Sequence, residues 1–373
     1  MARLTEARLT GASSRWRVTV VNKHPDRDWI EGTISALQQW LEVPVASPTS
    51  QLTGGGAVGL VESRLSAMHA NRSVLLMPSA TYGMLTVLTS LGVGPGDEVL
   101  IPTLDWPSTL AVVRTLGAIP VPVPVSSDTW TIDPAAAASR VSNRTRAVVA
   151  CHLLGVPADV PALRAAIPHI PIIEDCAQAA IGSAIDGHLV GTLGEAAVYS
   201  FGPGKFIDVG EGGAVVVADS NLRDSLLRAA AHPVRQIHAG IHNVERSVLN
   251  IRIHPLAAVL LGIALDGIDV QTKVRQRQRL VARLVKSGMH PLGNDKRREV
   301  ATEVVAVAAD EFEPLGQPGI DLRYGEVIDV GALIKGTAAS HTFAFCTAGT
   351  SEDQRLDVGT SEAATPLSRV GWR

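Results

Sequence analysis

Short apolar runs alternate with stretches of helical spacing from about Ser73 to Asp219. Ser73–Met77 (SVLLM) is an apolar run of strand length. In Thr81–Leu91 the apolar residues Met84, Leu85, Val87, Leu88 and Leu91 recur at helical intervals. The turn GVGPGD (Gly92–Asp97) leads into a second run, EVLIP, and Ser108–Leu116 reads as a helix that stops at Gly117. AIPVPV, AVVAC (Ala147–Cys151), Ile170–Ile173 and Ala196–Ser200 repeat the theme, with helical sequence between most of them. Strands that alternate with helices predict an α/β fold, a parallel or mixed sheet covered on both faces. A last run, GAVVVA (Gly213–Ala218), is expected to add at an edge of that sheet.

The texture changes after Asn221. Asn221–Ala230 is helical, and His232–Glu245 is polar and irregular. Pro255–Asp266 opens a helix that is expected to run on through the basic stretch KVRQRQRLVARLVK (Lys273–Lys286). Beyond it the sequence is rich in Gly, Thr and acidic residues and its periodicity weakens. These shifts divide the chain into an N-terminal segment, 1–50, a large domain, 51–270, and a smaller C-terminal domain, 271–373.

A chain of 373 residues is long enough for two domains. With 18% charged residues and a net charge of −3 it is neither a disordered chain nor a basic nucleic-acid binder. The longest apolar stretch, Pro255–Leu265, falls short of the roughly 18–20 residues of a membrane span. Arg and Glu interrupt the first twenty residues, where a signal peptide needs an unbroken apolar segment. Cys151, Cys176 and Cys346 are scattered without a CxxC, which suggests neither a metal site nor a disulfide framework. The expectation is a cytoplasmic protein with no metal, membrane or nucleic-acid partner.

Several motifs fail on inspection. Gly92, Gly94 and Gly96 follow a helix and precede a strand, the reverse of a dinucleotide fingerprint. Gly204-Lys205 resembles the end of a P-loop, but Tyr199 and Phe206 stand where the motif needs Gly and Ser/Thr. What survives centres on Lys205. Lysine is scarce, with only Lys23, Lys205, Lys273, Lys286, Lys296 and Lys335, and Lys205 alone follows an apolar strand (AAVYSF) and precedes a glycine-rich turn. Arginine can replace lysine as surface charge but cannot form a Schiff base. A lysine snorkelling from a strand end fits the local sequence equally well. Asp175 sits at the carboxyl end of another predicted strand, where open α/β sheets bind ligands and where a carboxylate could pair with the ring nitrogen of pyridoxal phosphate. A helix cap accounts for Asp175 too. Pro78-Ser79-Ala80-Thr81 opens a helix after a strand, as a phosphate site or a plain N-cap would. Trp106 could stack on a planar ring or serve packing alone.

In one respect the sequence is specific. SAT…LGVGPGDEVLIPTLDWPST (Ser79–Thr109), CHLLGVPADVPAL (Cys151–Leu163), EDCAQAAIGS (Glu174–Ser183), VGTLGEAAVYSFGPGKFIDVGEGGAVVV (Val190–Val217) and LNIRIHPLAA (Leu249–Ala258) together resemble the DegT/DnrJ/EryC1/StrS family of sugar aminotransferases. The resemblance spans about Gln51 to Asp269. It implies the type I pyridoxal phosphate fold, like that of aspartate aminotransferase: a large domain on a mixed, mostly parallel sheet and a smaller C-terminal domain. It also implies pyridoxal 5'-phosphate as cofactor, held on Lys205 as the internal aldimine, with Lys205 shuttling the proton. Asp175 would meet the pyridinium nitrogen, Gln178 the ring hydroxyl and Trp106 the ring face, while Ala80, Thr81 and Ser200 hold the phosphate. Asn250 and Arg252 match positions that reach the phosphate of the neighbouring subunit, which implies a homodimer with shared sites. His152 falls in a family motif and is expected to be structural. The implied reaction moves an amino group from glutamate or glutamine to a keto sugar, usually nucleotide-linked, or a keto-cyclitol, in amino-sugar, surface-glycan or antibiotic biosynthesis. The alternatives are dehydration or cyclisation on the same cofactor, and an inert regulatory or binding homologue. Family members that dehydrate replace the lysine with histidine, and Lys205 is retained. Ala80 stands where the family usually has Gly, Pro107 follows the Trp, and little of the family's small-domain pattern is found after about Val285.

Overall fold

The computed structural model describes residues 51–301 other than 287 and 289, the strands 305–308, 320–328 and 340–348, and four helical positions at 31, 34, 35 and 38. The rest of the 1–50 segment expected from the sequence lies outside the described residues. Seven strands form the main sheet: β1 (Ser73–Met77), β2 (Glu98–Pro102), β3 (Ile119–Val123), β4 (Thr145–Cys151), β5 (Ile172–Asp175), β8 (Ala196–Ser200) and β9 (Gly213–Val217). Their order is β1-β9-β8-β5-β4-β2-β3. All run the same way except β9, which pairs antiparallel with both neighbours. Between β5 and β8 lie two short strands, β6 (Ala184–Ile185) and β7 (His188–Leu189).

The sheet is α/β and mostly parallel, as expected, but the last of its strands is misplaced by the sequence reading. β9 is not an edge strand. It sits between β1 and β8 with all five residues buried. GAVVV is apolar at every position because both of its faces are covered, and the edges are β1 and β3. A second correction concerns the long helix. Pro255–Asp266 and Val270–Lys286 are two helices bent by 68° at the break. Gly267 caps the first, and the Asp269 carboxylate accepts the Thr272 N–H to start the second. Among the described residues, no single helix is long and apolar enough to cross a membrane.

Helices cover both faces of the sheet. Ala80–Ser90, Pro107–Thr115 and Ser220–Ala230 pack Met84, Val87, Leu110, Val113 and Leu226 against Val99, Ile101, Val149, Val198 and Val215. On the other face Ala57–Met68 and Pro255–Asp266 bury Val61, Leu65, Ala258 and Leu261 against Leu76, Ala197, Tyr199 and Val216.

After residue 290 the chain returns to this body. Leu292 packs with Leu104, Cys151 and Leu153, and β10 (Arg298–Glu299) pairs with β6. Arg297 bonds the carboxylates of Asp159 and Asp186. Beyond it β11 (Val305–Ala308), β12 (Ile320–Ile328) and β13 (Ser340–Ala348) form an antiparallel sheet of order β11-β13-β12.

Because β1, β2, β4, β5 and β8 are parallel, their carboxyl ends share one edge of the sheet. The segments that leave those ends are 78–81, 103–109, 151–154, 175–178 and 200–205. They carry nearly every residue singled out above.

Candidate active site

A cleft of about 360 Å³ opens at that edge, lined by Ala80, Thr81, Met84, Asp105, Trp106, Ser108, Thr109, Cys151, Asp175, Ala177, Gln178 and Lys205. Six positions named from sequence, Ala80, Thr81, Trp106, Asp175, Gln178 and Lys205, are thus brought together. Three are not among its walls. Ser200 ends β8 nearby, with the Gly202 N–H directed at its Oγ at 3.5 Å. Asn250 and Arg252 lie elsewhere, and Arg252 lines a separate hollow with Gln51, Gly54, His232 and Arg235. Asn250 takes a left-handed backbone, φ 51°.

One end of the cleft is a helix start. Ser79 caps Ala80–Ser90, its Oγ accepting the Tyr82 N–H at 3.3 Å. The first-turn N–H groups and the positive end of the helix dipole suit an anion. The first residue of β9 fixes this turn. A Cβ on Gly213 would lie 2.5 Å from the Ser79 carbonyl carbon, 2.7 Å from Ala80 N and 2.8 Å from Tyr199 O. All three are backbone atoms, so the turn itself must yield. Gly213→Ala is expected to cost about 1–3 kcal/mol and to weaken binding of a phosphate-bearing ligand at this turn about tenfold or more. A thermal melt and a ligand titration check both.

Asp175, the last residue of β5, is 6% exposed and its Oδ1 accepts the Ala177 N–H at 2.9 Å. Burial pushes its carboxyl up, against the Ala177 N–H, the Lys205 charge and His152. Its neighbour Glu174 is fully buried and differently served. The N–H groups of Gly191, Leu193 and Gly194 reach it at 2.8, 2.7 and 2.8 Å. His152 Nδ1 accepts the Ala158 N–H, so its Nε2 carries the hydrogen and donates to Glu174 at 3.1 Å. Burial would raise Glu174, but the bond and field of His152 and the Gly194 and Gly191 amides outweigh it and hold the carboxyl below its ordinary value. These bonds let His152 tie the 152–158 turn to the strand that ends in Asp175.

Lys205 stands in the turn after β8. Asp208 accepts the N–H groups of Gly204 and Gly210, which closes that turn. The Lys205 Nζ lies 5.9 Å from the centroid of the Trp106 ring, over its face. Gln178 Oε1 accepts the Leu154 N–H at 2.8 Å, so its amide nitrogen remains available to a ligand. Two polar atoms at the cleft are buried without partners, Asp105 Oδ2 and Thr109 Oγ1. Sequence reasoning missed Asp105, Thr109 and Cys151. Asp105 had a usable signal, because it follows a parallel strand's carboxyl end as Lys205 does.

The geometry is therefore an amine, an anion-binding helix start, an exposed aromatic face and a buried carboxylate around one cleft. A model of the DegT/DnrJ/EryC1/StrS aminotransferase family matches residues 38–309. The chain belongs to this family. It is an aminotransferase, and its cofactor is pyridoxal phosphate. The 3-amino-5-hydroxybenzoate synthase of Amycolatopsis mediterranei (strain S699) is 33% identical over 262 residues, 68% of this chain and 67% of that protein. The crystal structure of a 3-amino-5-hydroxybenzoic acid synthase matches with a TM-score of 0.64 at 28% identity, over 74% of this chain and 73% of its own. DesV of S. venezuelae matches with a TM-score of 0.64 at 26% identity, over 76% and 75%.

The cleft of this family member fits the cofactor. The helix start suits its phosphate, Asp175 its ring nitrogen, and the Lys205 amine its aldehyde. Asp105 Oδ2 and Thr109 Oγ1, buried at the wall of the cleft without a hydrogen-bond partner, leave it with polar capacity to spare.

Proposed function

We propose that this aminotransferase moves an amino group from glutamate or glutamine to a cyclic ketone, a keto sugar, commonly nucleotide-linked, or a keto-cyclitol. The product would enter an amino sugar, a surface glycan or an antibiotic. The observation that carries the reading is the placement of Lys205, Asp175, Trp106 and the Ala80–Thr81 helix start around one cleft. Relatives point the same way. The 3-amino-5-hydroxybenzoate of the relative's name bears its amine on a six-membered carbocycle, which favours a ring-shaped acceptor.

Pyridoxal phosphate supplies an electron-withdrawing ring that stabilises negative charge on the substrate carbon. The chain's residues do the rest. Lys205 would hold the cofactor through Nζ, and the same amine would move the proton at the substrate carbon. Asp175 keeps a negative charge at the ring nitrogen and so keeps that nitrogen protonated. Ala80, Thr81 and Ser200 hold the phosphate, Gln178 orients the ring through its hydroxyl, and Trp106 covers one face and excludes water. The retained Lys205 supports transamination over dehydration or cyclisation on the same cofactor, and its meeting with Asp175 in one cleft supports an enzyme over an inert homologue.

Asn250 and Arg252 lie outside their own cleft, and the homodimer reading assigns them to the partner's phosphate. Around them Ile237, Leu249 and Leu256 expose large apolar side chains, 64%, 63% and 40%, as a surface that pairs with a second copy would. The test is complementation. Lys205→Ala and an Asn250→Ala/Arg252→Ala double variant, each inactive, are unfolded and refolded together. Recovered activity supports shared sites, and a mixture as inactive as its parts contradicts them.

A further inference from the structure

The roles above leave one carboxyl in the cleft without a task. Asp105 is 1% exposed and stands beside Trp106 and Thr109. Its Oδ1 accepts the Trp106 N–H at 2.7 Å, while its Oδ2 has no hydrogen-bond partner. A carboxylate oxygen of Asp105, one of Asp175 and the Cys151 sulfur all lie within 4.8 Å of one another. Two ionised carboxyls so close in a buried place repel strongly, and such pairs take up a proton instead. The surroundings decide where it sits. Asp175 feels the Lys205 amine, His152 and the Ala177 N–H, all of which favour its charge. Asp105 has the negative charge of Asp175 against it, and the groups that favour its own charge, the Cys151 thiol, the Trp106 N–H and the Thr109 hydroxyl, are neutral dipoles with no cation among them.

We propose that Asp105 and Asp175 hold one proton between them and that Asp105 carries it, which makes Asp105 a positioning residue for the carboxylate that meets the cofactor's ring nitrogen. The proposal rests on the role given to Asp175 above. A protonated Asp105 gains an O–H donor, and the negative charge stays on Asp175. Burial, then the charge of Asp175, pushes the Asp105 carboxyl up to about 7, with Cys151, the Trp106 N–H and Thr109 pulling the other way. A protonated ring nitrogen arriving at Asp175 offsets repulsion within the pair and so favours loss of the Asp105 proton. Linkage then requires cofactor affinity to rise with pH through that titration.

Asp105→Asn keeps the shape and removes the proton. Full-length protein stripped of cofactor is titrated with pyridoxal phosphate at about pH 6 and about pH 8.5, as wild type, Asp105→Asn and Asp175→Asn. Groups that do not interact with Asp105 cancel in the ratio of wild type to Asp105→Asn, which leaves the titration of the Asp105–Asp175 pair. The two should bind within about threefold of each other at the lower pH, and wild type about tenfold more tightly at the higher. A purely structural Asp105 changes affinity by one factor at both, and a ratio independent of pH overturns the proposal. The melting temperatures of the stripped proteins give a second reading. The folded value lies above the unfolded one, so this group's contribution to stability is complete below about pH 4 and is lost as pH rises through about 7. Wild type should lose stability over that window relative to Asp105→Asn, and parallel curves overturn the proposal. Asp175→Asn should weaken binding about a hundredfold at both pH values. Wild-type affinity in that variant overturns the role of Asp175 and this proposal together.

Discussion

Lys205→Ala is expected to lower amino transfer by about 10²–10⁴-fold or more and to remove the visible absorption band of the covalently held cofactor. The proposed function gives this amine two tasks, the bond to the cofactor and the proton transfer at the substrate carbon, and alanine could do neither. Arginine tests the chemistry more sharply. Lys205→Arg preserves the charge over Trp106, where Nζ now stands 5.9 Å from the ring centroid. A guanidinium cannot form the covalent link, so this variant should be as inactive as the alanine. Retained affinity with lost activity would show that the phosphate and ring contacts hold without the covalent bond. Appreciable activity in either variant would mean that Lys205 is not the amine that does the chemistry. Absorption spectra and single-turnover rates decide between these outcomes.

The largest expected effect on stability lies behind the cleft, at Glu174. Its carboxylate is 0% exposed and takes three backbone N–H groups and the His152 Nε2–H. Glu174→Ala leaves those four donors buried without an acceptor. Breaking such a buried charged network costs about 3–5 kcal/mol, or a melting point lower by about 10 °C or more. Glu174→Gln should cost less, because one acceptor remains, but its NH₂ then opposes N–H groups. The sign of the pH dependence follows from the shift. Glu174 is held below its ordinary value, so its contribution is present above the unfolded carboxyl's value and is lost as pH falls through the folded one. Melting curves from neutral to acid pH test this, and an unchanged melt in Glu174→Ala would refute the assignment. Because Asp175 follows Glu174 directly in β5, the loss should also weaken cofactor binding.

Much of this arrangement was legible in the sequence because the parts that carry it are local. Apolar runs of four or five residues mark β1, β2, β4, β5 and β8, and residues just past them line the cleft. Lys205 stands out because lysine is scarce and a mostly apolar strand precedes it. What was not legible depends on partners far along the chain. β9 reads the same at an edge as in the interior, and its pairing with β1 joins residues from opposite ends of the domain. The break after Asp266 turns on a cap whose force is visible only once Asp269 is seen to accept the Thr272 N–H. Glu174 read as an incidental neighbour of Asp175, since its amide donors lie 17 to 20 residues ahead and fold back on it through β6 and β7. Asp105 carries only the weak signal of its place after a parallel strand, and its burial and the proximity of Asp175 are what give the carboxyl significance.

The central claim is that this cleft carries amino groups on pyridoxal phosphate. Its most direct test is the absorption spectrum of the purified protein loaded with the cofactor, before and after addition of L-glutamate or L-glutamine. The visible band should give way to the spectrum of the amine form of the cofactor, with release of the matching keto acid in amounts stoichiometric with sites. A folded protein that develops no band with pyridoxal phosphate, or whose band stays unchanged with every amino donor, would contradict the account.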